Sequence, residues 1–224
     1  MLSFYFACLK HLETINWLAQ RLQKPLPGFE AQRRMIGRVL PMPPSIPETA
    51  RLSAVLGLLF PDGEGDLKVL LIRRTEDGHA HSGQISFPGG RKDEEDETLL
   101  HTALREAEEE VGIAATNIQI IGQLSSIYIP VSNFHVFPYL GYLNEPPKIV
   151  ANNLEVAYTI EVSLNDFLKE EFKTITTVTS PADKSFIRKV NAYQLHDGGI
   201  IWGATAMILS ELEVIYAEYV SGVD

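Results

Sequence analysis

The chain has 224 residues, 45% hydrophobic and 21% charged, and 19 basic against 29 acidic side chains give a formal net charge of −10. This suits one globular domain with an extension and argues against disorder. The acidic balance excludes a basic nucleic-acid-binding surface, the lone Cys8 excludes an internal disulfide, and no apolar run reaches the roughly 20 residues of a membrane helix.

The opening MLSFYFACLKHLE lacks a basic leader and meets Lys10 and Glu13 early, so it does not read as a secretion signal, and a cytoplasmic location is expected. Phe4, Cys8, Leu12, Ile15, Trp17, Leu18 and Leu22 recur at roughly helical spacing and predict a helix over 1–24, ended by KPLPG. Four prolines (Pro41, Pro43, Pro44, Pro47) predict an extended connection over 29–50. Residues 1–50 are therefore expected to form an N-terminal helical arm available for homodimerisation, with the main domain over 51–224.

Strand signals then begin. SAVLGLLF (53–60) and KVLLIRR (68–74) flank a PDGEGD turn, and Phe87-Pro88-Gly89-Gly90 reads as a break. A helical pattern over 97–111 is closed by Gly112, a favoured C-terminal residue. Strands are predicted over 118–129, 135–143, 155–162 and around 173–195, with a short helix near 164–171 and a last helix over 203–219. Strands with helices inserted between them imply an α/β fold with a mixed sheet between helical layers.

The charge concentrates in Asp93–Glu110, which holds nine carboxylates and one base, Arg105. At 100° per residue, Leu100, Ala103, Leu104, Ala107 and Val111 cluster within roughly 60° as a buried stripe. Glu106, Glu109 and Glu110 share another face, where like charges repel by a few tenths of a kcal/mol per pair. A solvated face would intersperse lysines. Clustered carboxylates beside a glycine-rich break also suit a hard cation such as Mg²⁺ or Mn²⁺, which commonly bridges such ligands to phosphates.

Gly90 to Glu97, followed by Arg105-Glu106-Ala107-Glu108-Glu109-Glu110-Val111-Gly112-Ile113, resembles the Nudix box, G-x5-E-x7-R-E-U-x-E-E-x-G-U, where U is bulky and aliphatic. One residue is extra in the first half, so either Asp96 or Glu97 takes the first acidic position. Upstream, Leu70, Leu71, Arg74, Gly83 and Phe87-Pro88-Gly89-Gly90 resemble the signature of the coenzyme A pyrophosphatases of that superfamily, with Ile72, Thr75 and His79 as substitutions. Asn153-Leu154-Glu155-Val156 and Ile201–Ala206 are similar to further subfamily segments. The resemblance covers about residues 50–215.

The resemblance implies a Nudix-type α/β/α sandwich and metal-dependent hydrolysis of a small nucleotide. Glu106, Glu109 and Glu110 would bind Mg²⁺ or Mn²⁺, and Arg105 would orient a carboxylate through a bidentate pair. Glu155 would bind metal or activate water, with Asp96 and Glu97 as alternatives. Arg74, His79, His81, Gln84, Gly89 and Gly90 would line the substrate site. Coenzyme A would be cut at its pyrophosphate to 3′,5′-ADP and 4′-phosphopantetheine. Alternatives are other nucleotides (ADP-ribose, NADH, a dinucleoside polyphosphate) or a catalytically silent domain, whose mark would be missing box carboxylates. All three glutamates are present.

Overall fold

The computed structural model describes residues 2–37, 42–63, 65–76, 82–179 and 187–222, with side chains from residue 11 onward. Helix α1 (Leu2–Arg21) precedes the short α2 (Phe29–Gln32), which runs into a 3-10 turn at Arg33–Met35. Strands β1 (Arg51–Pro61), β2 (Leu67–Arg74), β3 (Ile85–Ser86) and β4 (Gly89–Arg91) lead to helix α3 (Leu99–Val111). Then come β5 (Gln119–Gln123), β6 (Ile127–Ile129), β7 (Phe134–Tyr142), β8 (Val156–Ser163), β9 (Lys173–Thr179), β10 (Ile187–Gln194), β11 (Ile200–Ile201) and helix α4 (Gly203–Ser221).

The larger sheet runs β3-β2-β1-β7-β5, with β4 also on β1, β6 on β7 and β8 on β2; β9, β10 and β11 form a second, antiparallel sheet. Strands β1 and β7 pair in parallel, whereas β1 pairs β2 and β4 antiparallel, so the sheet is mixed as expected. Period-two alternation divides its side chains between two layers. Leu56, Leu58, Leu70 and Ile72 face Ala103, Ala107 and Val111 of α3. Leu59, Val69 and Leu71 face the other way, onto Ile208, Leu209 and Leu212 of α4 and Ile15, Leu18 and Leu22 of α1. Because helices cover both faces, β1 is a nearly unbroken apolar run rather than an alternating one.

Several boundaries differ from the sequence expectations. The connection over 29–50 is not wholly extended, because α2 buries Ala31 and Gln32. The FPGG break contributes a strand, β4, and the stretch 118–129 is two strands rather than one. The helix expected near 164–171 is a pair of 3-10 turns, Asp166–Leu168 and Glu170–Phe172. Among the described residues no helix is long and apolar enough to cross a membrane.

Candidate active site

The sheet splits where β1 exchanges partners. Its second half pairs β2, and its first half pairs β4 through Val55 with Gly89 and Ala54 with Gly90. Helix α3 crosses this point. Its N-terminus is capped by Thr98, whose Oγ1 accepts the His101 N–H at 3.0 Å, and it ends at Gly112, whose φ of +71° lets its N–H reach the Glu108 carbonyl. Ala103 and Ala107 are small enough to seat the helix close to the strands.

The face that α3 buries is turned by roughly 50° from the stripe expected from its leucines. Thr102, Ala103, Ala107, Glu110 and Val111 are buried, while Leu100 and Leu104 are only half-buried. That turn grades the three box carboxylates. The side chain of Glu110 is 1% exposed, that of Glu106 16% and that of Glu109 55%.

Glu110 lies under the glycine pair. Its Oε2 accepts the Gly89 N–H at 2.8 Å and its Oε1 accepts Nη1 of Arg74 at 2.9 Å. Burial pushes the carboxyl up to about 7; Gly89 and Arg74 oppose the shift, and Glu106 and Glu155 reinforce it. Glu106 is also raised, by burial first, against the pull of Arg105 and with the push of Glu109 and Glu155. A Cβ at Gly90 would overlap the Glu106 carboxyl, with both oxygens 2.5 Å away. A Cβ at Gly89, whose φ is +149°, would lie 2.6 Å from Val55 Cα. Only glycine lets the strand run this close to the helix carboxylates.

Arg105 organises the other side of the cluster. Its Nε and Nη2 hold the two oxygens of Asp96 at 3.0 Å each, its Nη2 also reaches Glu106 Oε1 at 3.0 Å, and its Nη1 reaches Glu109 Oε2 at 3.1 Å. Asp96 further accepts from the Asp93 N–H and from Thr102 Oγ1, and Arg105 holds its carboxyl well below the usual range. Asp96 therefore occupies the first acidic position as the partner of Arg105. Glu97 is exposed. The extra residue is taken up in the turn that closes with Asp96 N–H on the Asp93 carbonyl. Sequence alone left Asp96 and Glu97 equal, although a capping Thr98 two residues on offered a place from which to count.

The remaining candidates fall into three groups. Glu155 is exposed just before β8, its carbonyl accepting the Thr75 N–H, and its charge acts on both Glu106 and Glu110. Arg74, expected on substrate, points to Glu110, and the carbonyl of Gln84 accepts the Arg74 N–H at 3.0 Å. His79 and His81 lie outside the described residues.

Oxygen donors whose negative charges raise one another's proton affinity suit a hard divalent cation, which replaces the missing positive charge. Among the described residues no three acidic, histidine or cysteine side chains already surround one point. Glu110 is tied to Arg74 and Gly89, and Glu109 to Arg105. The donor chemistry fits such an ion, and loading requires those ties to loosen.

The family model described as NUDIX domain matches residues 50–176, from the start of β1 into β9. The chain belongs to the Nudix family. It is 31% identical over 206 residues to the Nudix hydrolase NudL of Yersinia pestis, itself uncharacterized, covering 86% of this chain and 94% of that one. It is 34% identical over 144 residues to NudL of Pectobacterium atrosepticum, covering 64% and 72%. The fold is similar to the crystal structure of RenU, a Nudix hydrolase from M. smegmatis, at a TM-score of 0.50 and 18% identity over 78% of this chain and 88% of that one. Nudix hydrolases generally depend on divalent metal and act on nucleotide pyrophosphates.

Proposed function

We propose that this Nudix hydrolase cleaves the pyrophosphate of coenzyme A or its derivatives to 3′,5′-ADP and 4′-phosphopantetheine, using Mg²⁺ or Mn²⁺ held by Glu106, Glu109 and Glu110. The observation that carries the hydrolytic reading is the pair Glu106 and Glu110 beneath Gly89-Gly90, half-buried and buried carboxyls with raised proton affinity. The coenzyme A reading rests on the Leu70, Leu71, Arg74, Gly83 and Phe87–Gly90 signature.

Bound there, the cation would supply Lewis acidity and charge neutralisation at the pyrophosphate. Asp96 and Arg105 fix the rotation of α3 and keep Glu106 and Glu109 on one side of it. Glu155, exposed and facing the same carboxylates, takes a proton from the attacking water. The glycine pair leaves room for the diphosphate to approach the helix without a side chain between them. Arg74, once released from Glu110, is a cation at the mouth of the site for a phosphate oxygen.

The test is product analysis with Mg²⁺ or Mn²⁺ and coenzyme A, ADP-ribose, NADH and diadenosine polyphosphates in parallel. Release of 3′,5′-ADP from coenzyme A well above the other substrates is expected. Preference for another nucleotide would keep the Nudix chemistry and discard the coenzyme A assignment. Binding of metal and nucleotide without turnover would make the domain a silent sensor instead.

A further inference from the structure

We propose that a cavity at the far end of β2 from the pyrophosphate site binds a small organic ammonium compound. Leu67 at the start of β2 lines this cavity, and Arg74 at the end of β2 reaches Glu110, so about 23 Å of strand separates the two places. The cavity is about 340 Å³ and lies between α1, the β1–β2 turn and the C-terminal end of α4. It is lined among others by His11, Thr14, Asp66, Asn165, Tyr216 and Tyr219. This volume would hold about ten waters at roughly 30 Å³ each, and it falls within the roughly 300–1,000 Å³ range of small-molecule pockets.

His11 is the observation that asks for a ligand. It is only 5% exposed, and its Nε2 finds no hydrogen-bond partner among the described residues. A buried polar atom left unpaired costs about 1–3 kcal/mol, and an imidazole nitrogen either donates or accepts according to its tautomer. A bound polar group at this point would remove that cost.

The class of ligand follows from how the neighbouring hydrogens are used. Ser163 Oγ and Asn165 Nδ2 both donate to the Asp66 carboxylate, Tyr216 Oη donates to Asn165 Oδ1, and Thr14 Oγ1 donates to Tyr219 Oη. Burial, together with Asp66 and Tyr219, pushes the Tyr216 phenol up to about 12, so it stays neutral and keeps its proton for Asn165. What the network leaves over is mainly acceptor capacity on Asp66 and Tyr216. The Tyr216 and Tyr219 rings stack at 27°, with centroids 6.1 Å apart, and add two π faces.

No lysine or arginine lines the cavity. Basic groups on the surrounding elements are engaged by other carboxylates: Arg21 by Glu218, Lys68 by Asp62 and Glu161, and Lys169 by Asp166. A carboxylate beside aromatic faces with no lining cation favours a positively charged guest, and a primary ammonium offers three N–H donors to the acceptors left over.

The test is calorimetric titration of the full chain with phenethylamine, alongside phenethyl alcohol and phenylpropionate. Saturable binding of the amine is expected, with the alcohol and the acid at least about tenfold weaker. Asp66→Asn should weaken the amine about tenfold, and His11→Phe several-fold while raising the Tm of the free protein, because an unpaired buried nitrogen is removed. Should Asp66→Asn fail to fold, nuclear Overhauser contacts from the ligand to the Tyr216 and Tyr219 rings in the parent chain test the same placement. A Glu110→Gln chain should bind phenethylamine as the parent does, which separates this site from the pyrophosphate chemistry. Absence of saturable amine binding, equal binding of phenylpropionate, unchanged affinity in the folded variants or loss of binding in Glu110→Gln would each overturn the proposal.

Discussion

Two glutamates are almost wholly buried on helices of this protein, and their surroundings are opposite. Glu211 on α4 accepts the Gly28 N–H at 2.8 Å, the Ser125 N–H at 3.1 Å, Ser125 Oγ at 2.6 Å and Gln32 Nε2 at 3.3 Å. Four donors from three separate segments converge on it. Glu110 on α3 has one backbone N–H and one arginine, and it faces the charges of Glu106 and Glu155. A buried carboxylate ringed by donors is a structural pin that ties the N-terminal segment to α4. A buried carboxylate set among rival carboxylates is held in an unfavourable state that a proton or a cation relieves. Burial alone does not separate the two roles; the balance of donors against like charges does.

The sharpest way to break this contrast is Glu211→Ala. The substitution leaves four donors without their acceptor, two of them backbone N–H groups, and stability should fall by about 3–5 kcal/mol. Chemical denaturation measures it. Activity per folded molecule should change little, because none of the four partners lies in the pyrophosphate site. A folded variant with normal stability would remove the pin from α4.

Glu110→Gln should behave in the opposite way. Turnover with Mg²⁺ or Mn²⁺ should fall at least about a hundredfold, equivalent to about 2.7 kcal/mol in the barrier. The metal-free chain, however, should become more stable. A carboxyl raised to about 7 by folding is protonated in the folded state between its ordinary value and neutrality, while the unfolded chain is not. Over that window the unfolded state binds fewer protons, so stability declines as pH rises, by up to about 3 kcal/mol once the pH exceeds 7. Glutamine removes the decline. Denaturation of both chains at pH 5 and pH 8 checks it: the advantage of the variant should be present at pH 8 and shrink toward pH 5. An advantage that does not change with pH would contradict the raised pKa.

The sequence made α3 legible because everything that defines it is local. The carboxylates recur at i, i+3 and i+4, Gly112 stands at the end, and the box motif spans a single turn and helix. The strands of the central sheet were legible for the same reason, as apolar runs between turn residues. What escaped was set from a distance. The break between β5 and β6 falls at Leu124–Ser126, where both polar groups of Ser125 turn toward Glu211, 86 positions away. No pattern within 118–129 announces it. The rotation of α3 that buries Glu110 is imposed by Gly89 and Arg74, and the choice of Asp96 over Glu97 by the reach of Arg105. Glu211 itself left only a faint signal, an acidic residue inside the apolar stretch AMILSELEVI, which hydropathy alone treats as an interruption.

The smallest of the expected effects bears on how Glu106 is held. Gly90→Ala adds one methyl group to a backbone position that requires no positive φ, so the strand β4 can tolerate it conformationally. The methyl would nevertheless occupy the space of the Glu106 carboxyl. Either the strand withdraws from β1, breaking the pairing of Gly90 with Ala54, or Glu106 rotates away from the cluster. The second is the cheaper course, since Glu106 is a flexible side chain that keeps Arg105 as a partner on its outer side. Metal affinity, read by Mn²⁺ titration, should then weaken about tenfold, while the Tm moves by no more than a few degrees. A large loss of Tm with unchanged metal affinity would show that the strand yields rather than the carboxylate, and that Glu106 is held in place more firmly than Arg105 and burial account for.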